Sequence, residues 1–527
     1  MNIFSAHTIF LALYPILFTY SKNVTDVRPT HLVIPFLIIA LSTYVFSAFA
    51  SIIYKNLYKS AIITSLGLFL TFSYGHIEDL ILIKFGNVND IILSFSILMI
   101  FLIAALKLKQ CRDTVAADLN VILNAFALTL IIFPIYNITI NEYNSYEESK
   151  KLSGIFSEAV IDESKIDVKK LPNIFHICLD EYAREDVLRE LYDCDNGEFI
   201  KALRQRGFFV ADKSRTNYCY TDLSLISTFN MDYLDNMTQK LSITESVDRS
   251  AAARKLLFGN AVFKGLKKAG YKIITFNTNE TYTSINDSDI YYSPFSGALL
   301  NAFYYNMLIN MTPAPVALKL LSINAYFFFD PADQHRKAVL YPFEKIDEIK
   351  NYEFPYMACL WIDCPHPPFV FDDKGRNIVA MKKGMAEIDR WAIESDEDRL
   401  NYRANFRMQL KFISQKVIEM IDKIIAGSKR PPIIILQADH GPASLFEFEK
   451  MPGDIITFKE RFAILNAYYM PEAITKKPAF YETITPVNTF RIIFNEALKT
   501  DFKLLEDKCF HSIWLKPYKY VDVSNKF

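Results

Sequence analysis

The sequence predicts an α/β domain with a mostly parallel sheet, set behind an N-terminal region of five transmembrane helices. Three observations carry this reading. Residues 1–140 hold only 14 charged side chains among long apolar runs, whereas the rest of the 527-residue chain has the mixed composition of a soluble domain. Beyond residue 171, strand-like runs alternate with helix-spaced segments, the pattern of a parallel sheet covered on both faces. The run Ile433-Ile434-Ile435-Leu436-Gln437-Ala438 after Pro431-Pro432 reads as a buried central strand. A chain of this length exceeds one core, so at least two domains are expected. Its net charge of −1 supplies no global field, and nucleic acid is not expected as a partner.

Taken in order, the apolar segments are residues 3–20, 32–54, 57–74, 91–106 and 121–138. Each approaches the roughly 20 residues that cross a hydrocarbon core. The first lacks a basic leader and a small-residue cleavage site, so it reads as a retained span. Lys55, Lys59, Lys107, Lys109 and Arg112 lie in the second and fourth loops, against Lys22, Arg28 and Lys84 in the first and third. The positive-inside rule puts the richer loops in the cytoplasm, and five spans then place the C-terminal domain outside. The expected divisions are a transmembrane region at 1–140, a polar linker or surface helix at 141–171, and an exported domain at 172–527. The location implied is a bacterial cytoplasmic membrane, with the domain on the periplasmic or extracellular side.

In the exported part, residues 172–179 form a strand with Asp180-Glu181 at its carboxyl end. Residues 197–206 are helical, stopped by Gly207 and followed by a strand at 208–211. Residues 260–268 are a helix, with Gly270 as its stop before the strand at 271–276. The strand at 356–362 leads into Asp363-Cys364-Pro365-His366-Pro367-Pro368. Tyr402, Phe406, Leu410, Ile413, Val417 and Ile421 mark a helix over 400–426, which feeds the Ile433 strand. Residues 461–469 are expected as a further strand, and Thr485-Pro486 as a helix start. The aromatic stretch 293–329 is taken as an ordinary core segment, with a membrane-facing surface as the sharper alternative. Of the seven cysteines, none forms a Cys-x-x-Cys pair. Six on the outer side leave disulfide pairing open.

Chemistry gathers outside the carboxyl ends of parallel strands. Asp439-His440 stands at one such end, Asp180 at a second and His366 near a third. A carboxylate beside an imidazole either holds a divalent metal or forms a structural pair, and the residues alone leave both open. Thr221 is equally a turn or N-cap residue, and Ser224 and Ser227 are rival hydroxyls. Glu181 is an alternative to Asp180, although strand alternation favours Asp180. His366 among three prolines also suits a rigid loop. His176 inside an apolar strand reads as a core histidine. His335 and His511 are unplaced.

Together, Asp180 ending the first strand, a hydroxyl residue some forty positions on, the His-Pro turn at His366 and Asp439-His440-Gly441 resemble the sulfatase and alkaline phosphatase superfamily. The resemblance runs over about residues 171–497. With the five-span anchor, it is strongest to the membrane-bound branch of lipoteichoic acid synthases and lipid A phosphoethanolamine transferases. It implies an alkaline phosphatase-like α/β/α sandwich. It further implies one divalent metal (Mn, Zn or Mg) on Asp180, Thr221, Asp439 and His440. Thr221 would be the nucleophile and His366 a second catalytic residue. The implied reaction moves a phosphorylated head group from a membrane lipid donor to an envelope glycan or lipid acceptor through phospho-Thr221. A hydrolase acting on exported polysaccharide or lipid is the alternative. Cys219 is followed by Tyr-Thr-Asp-Leu and not by the Pro and Arg of the formylglycine motif, which disfavours sulfate-ester hydrolysis. Asp363-x-x-His366, and Asp330 with His335, miss the Asp-x-x-x-His spacing of two-metal relatives, so a one-metal site is expected.

Overall fold

The computed structural model describes the chain apart from residues 1–4, 25–26, 28, 87–88, 153–160, 236–252, 254–255, 279–282, 295–301, 322–329, 379–392, 394 and 477. The chain divides into two compact units, Met1–Glu147 with Phe295–Pro331, and Glu148–Pro294 with Ala332–Phe527.

In the first unit, helices occupy all five predicted segments: His7–Lys22, Val33–Tyr54, Leu57–Phe72, Asp90–Gln110 and Asp113–Leu152. Among the described residues, three helices are long and apolar enough to cross a membrane. A fourth qualifies if Leu57–Phe72 and Tyr74–Phe85, bent by 43°, form one span. Large apolar side chains such as Leu41, Ile83, Leu106 and Val121 are exposed, as lipid-facing residues are and as a soluble core would not allow. A buried polar cluster inside is paired: His7 places Nδ1 2.6 Å from Ser65 Oγ and Nε2 2.7 Å from Asn120 Oδ1. The last helix runs on into the predicted linker as far as Leu152.

The stretch 293–329 departs from its expectation as a core segment of the exported domain. Its described helices, Ala302–Asn310 and Ala314–Leu320, belong to the apolar unit. Tyr304, Tyr305 and Leu308 pack with Ile16, Tyr20 and Val27, and the Tyr304 hydroxyl donates to Ile16 O.

The second unit is built on a seven-stranded sheet: β1 Asn173–Leu179, β2 Phe209–Val210, β3 Lys272–Phe276, β4 Ile290–Tyr292, β5 Tyr356–Ile362, β6 Pro432–Ala438 and β7 Asn466–Tyr469. Their order is β2-β7-β6-β1-β5-β3-β4. The pairs β6–β1, β1–β5, β5–β3 and β3–β4 are parallel, and β7 runs antiparallel to both β6 and β2. Side chains alternate across this sheet. Ile174, Cys178, Met357, Cys359, Ile433 and Ile435 enter one core, whereas Phe175, Ile177, Ala358, Leu360, Ile434 and Leu436 enter the other. The first core is covered by the helices Thr221–Asn230, Ala261–Lys268 and Pro486–Leu498. The second is covered by Glu185–Tyr192, Gly197–Gln205 and Asp396–Gly427, which makes the predicted sandwich.

One predicted strand is corrected. Arg461 and Phe462 end a helix, Ile455–Phe462, and β7 begins only at Asn466. The helix is started by Asp454, whose carboxylate accepts from Thr457 N at 2.8 Å. All seven cysteines are free.

Candidate active site

β1 is the middle strand of the parallel trio β6-β1-β5, and its last residue is level with both neighbours: Leu179 pairs with Ala438 and with Ile362. The next residue on each strand is therefore Asp180 in the centre, Asp439 on one side and Asp363 on the other. Neighbouring strands lie about 4.8 Å apart, so three carboxylates at adjacent strand ends are within reach of shared cations. Thr221 is the first residue of the Thr221–Asn230 helix, which covers the same face of the sheet.

Sequence positions 180, 221 and 439–440 meet here. Thr221 Oγ1 donates to Asp439 Oδ2 at 2.8 Å and lies 2.9 Å from His440 Nε2. His440 Nε2 is 3.1 Å from Asp439 Oδ2 and 3.9 Å from Asp180 Oδ1. All four residues are buried. Thr221 is thus neither a turn residue nor a cap, because its hydroxyl is turned into the cluster. Ser224 donates to the Asp439 carbonyl at 2.8 Å, and Ser227 donates to Asp232 O at 2.8 Å.

The donor set fits a divalent cation. One ligand atom from each of Asp180, Asp439 and His440 lies within 4.8 Å of the others. Asp180 Oδ1 is buried without a hydrogen-bond partner, a costly state for a carboxylate oxygen unless a proton or a cation neutralises it. Burial and the adjacent Asp439 carboxylate hold Asp180 well above the usual carboxylate range, and burial pushes Asp439 up to about 6. Carboxylate oxygens with an imidazole nitrogen suit Zn or Mn.

A second cluster of possible ligands lies beside the first, despite the spacing along the chain. Asp180, Asp363 and His366 also bring one ligand atom each within 4.8 Å. His366 Nδ1 stands 3.2 Å from Asp363 Oδ1, and His335 Nδ1 stands 3.6 Å from Asp363 Oδ2. Spacing along the chain misleads because β5 lies directly beside β1, which supplies the third ligand from elsewhere in the sequence. His335, unplaced by sequence, therefore belongs to this edge of the site. His511 is buried against Phe446 and Phe458. His176 is a core residue 3.4 Å from Gln437 Oε1, and burial lowers it to about 4.

The groups behind the cluster take roles that the sequence reading did not assign, Glu181 having been weighed only as an alternative ligand. Glu181 has a left-handed φ of 63°, and its N–H donates to Asp439 Oδ1 at 3.3 Å. Its carboxylate is turned away from the cation position, accepting from Tyr402 Oη at 2.7 Å and Arg461 Nη1 at 2.8 Å. Glu460 accepts from Leu445 N, Ser444 Oγ and Tyr192 Oη, which ties down the loop after Gly441.

The sequence matches no family model, and no curated protein matches it. Among solved structures, the zinc complex of the C-terminal periplasmic domain of EptC from Escherichia coli is 13% identical, with a TM-score of 0.42, over 68% of this chain and 94% of that one. The integral membrane lipooligosaccharide phosphoethanolamine transferase A from Neisseria meningitidis is 12% identical, with a TM-score of 0.40, over 93% and 95% of the two chains. A phosphonate monoester hydrolase of Agrobacterium radiobacter is 12% identical, with a TM-score of 0.41, over 65% and 80%. At such identities and scores these likenesses give no residue a role. The structural neighbours of this chain include phosphoethanolamine transferases, a 2-O GAG sulfatase and a phosphonate monoester hydrolase.

Proposed function

We propose that the chain is a membrane-anchored, metal-dependent phosphotransferase that moves a phosphorylated head group from a lipid donor to a hydroxyl of an envelope glycan or lipid. The convergence of Thr221 with Asp180, Asp439 and His440, from three distant stretches of chain, is the observation that carries this reading. These four residues would hold one divalent cation, which lowers the hydroxyl pKa and offsets charge on phosphoryl oxygens when bound.

This chain's own residues do the rest. Thr221 Oγ attacks phosphorus, the bond from phosphorus to the lipid oxygen breaks, and the Thr221 proton passes to the Asp439 carboxylate it already faces. His366, whose Nδ1 lies against Pro367 O and Asp363, protonates the departing alkoxide. In the second half the acceptor hydroxyl attacks the phosphorus on Thr221, His366 takes its proton, and Thr221 regains its own. The N-terminus of the Thr221–Asn230 helix stands behind the oxygens that gain negative charge. The apolar helices would keep this site, on the outer side of a bacterial cytoplasmic membrane, at a high effective concentration of lipid donor. Transfer of a radiolabelled head group by the parent, and its loss in Thr221→Ala, tests the proposal. Transfer that survives the substitution overturns it, and release of the label to water alone would identify a hydrolase.

A further inference from the structure

We propose that Gln409 is a positioning residue of this site: its carboxamide clamps the main chain of the loop that carries His366, and so fixes where that side chain stands. The proposal rests on the role given to His366 above and on no bound cation. Gln409 lies in the Asp396–Gly427 helix, three residues after Phe406 and four before Ile413, and like them it is fully buried. An amide on that apolar face is costly unless its polar atoms are hydrogen-bonded. Its Nε2 donates to His366 O at 2.9 Å and to Pro365 O at 3.3 Å. Its Oε1 accepts from Val370 N at 2.9 Å and from Phe371 N at 3.2 Å. A carboxamide has two N–H donors and two lone pairs, and here all four meet one loop.

Pro365, Pro367 and Pro368 have no N–H with which this loop could close on itself. Gln409 bridges its two sides instead, the carbonyls at 365 and 366 and the amides at 370 and 371. The side chain of His366 is held from the other direction: Nδ1 is 3.2 Å from Asp363 Oδ1, at the end of β5, and also meets Pro367 O. The ring is thus set from the sheet and its main chain from the helix. Phe369 against Tyr402 and Phe371 against Phe412 pack the far side of the loop onto the same helix. Those rings hold the loop in place, whereas the amide reaches the carbonyl of His366 itself. A glutamate carboxylate would keep the shape and both acceptor contacts but offers no N–H to the two carbonyls.

Gln409→Glu and His366→Ala, singly and together in the full chain in detergent, separate positioning from folding alone. The readout is diacylglycerol released from mixed micelles of phosphatidylethanolamine and phosphatidylglycerol, which reports head-group loss whatever the acceptor. Gln409→Glu is expected to lower kcat about tenfold or more at unchanged KM, since small misplacements of a reacting group cost up to about a hundredfold. In the His366→Ala background the same change should alter the rate less than about twofold, because groups that act as a unit are not additive. Hydrogen exchange of the parent reads the clamp directly, even if the variants fail to fold: the Val370 and Phe371 amides should exchange as slowly as those of β5. Gln409→Glu at the parent kcat, an equal loss in both backgrounds, or exchange of these amides as fast as in an open chain overturns the proposal alone. His366→Ala at the parent rate overturns the role given to His366, and a parent that releases no diacylglycerol overturns the lipid-donor reading.

Discussion

Asp180 and Asp439 sit side by side in a buried site, and both resist ionisation when no cation is present. For Asp439 the folded value of about 6 lies above the ordinary 3.8, so the metal-free fold binds this proton more tightly than the unfolded chain does. The stability it contributes is fully present below 3.8 and is lost as pH rises through about 6. A bound cation favours the ionised carboxylates and competes with that proton. The thermal midpoint gained on adding Zn(II) should therefore widen between about pH 5 and pH 7, as scanning fluorimetry with and without chelator can show. A gain independent of pH would mean that these carboxylates are not the ligands. At Thr221, replacement by Ala should lower head-group transfer by about a thousandfold or more while leaving the thermal midpoint nearly unchanged. Asp180, Asp439 and His440 were legible because each follows an apolar strand. Asp363 was discounted on spacing, and Arg461 was taken for part of a strand, because neither role exists until β5 and the Ile455–Phe462 helix are placed.

At the scale of elements, the site depends on the end of one helix being pressed against the loop after β6. A Cβ on Gly441 would stand 1.9 Å from Glu460 O, closer than any contact can be, while Gly441 N donates to Arg461 O at 2.7 Å. Gly441→Ala should cost about 1–3 kcal/mol through the shift this forces, and should weaken metal binding as well. Calorimetry of unfolding and of Zn(II) binding would read the two losses in one preparation. Helix starts were read with more success than this packing. Asn260 accepts from Phe263 N at 2.8 Å, so Asn260→Ala should cost about 1 kcal/mol and leave transfer intact, as denaturant melts and assays would show. Local signals such as Pro486 and Gly270 sit in the sequence beside what they control, which is why they were found. The 461–469 stretch was misread because Arg461-Phe462 looks equally well like the edge of the apolar run that follows. The cap that decides it, Asp454, lies seven residues upstream.

For the whole molecule, composition separated the apolar region from the α/β domain, and strand–helix alternation gave the sandwich. The strand order β6-β1-β5 was not legible, since it is set by long crossovers, and the two ligand clusters sharing Asp180 follow from that order. Residues 302–320 were misplaced for a related reason: aromatic side chains such as Tyr304 and Tyr305 suit a soluble core and an apolar bundle equally. Orientation remains a separate expectation. A cysteine at Asn89 should react with a membrane-impermeant maleimide in intact cells and one at Asn56 should not, and the reverse pattern would invert the topology. The central claim, that Thr221 carries the transferred phosphoryl group beside a cation, is tested most directly by mass spectrometry of the full chain quenched during reaction with a lipid donor. The account predicts the head-group mass on Thr221, absent from Asp439→Asn. Transfer proceeding with Thr221 unmodified, or with the mass on another side chain, would contradict it.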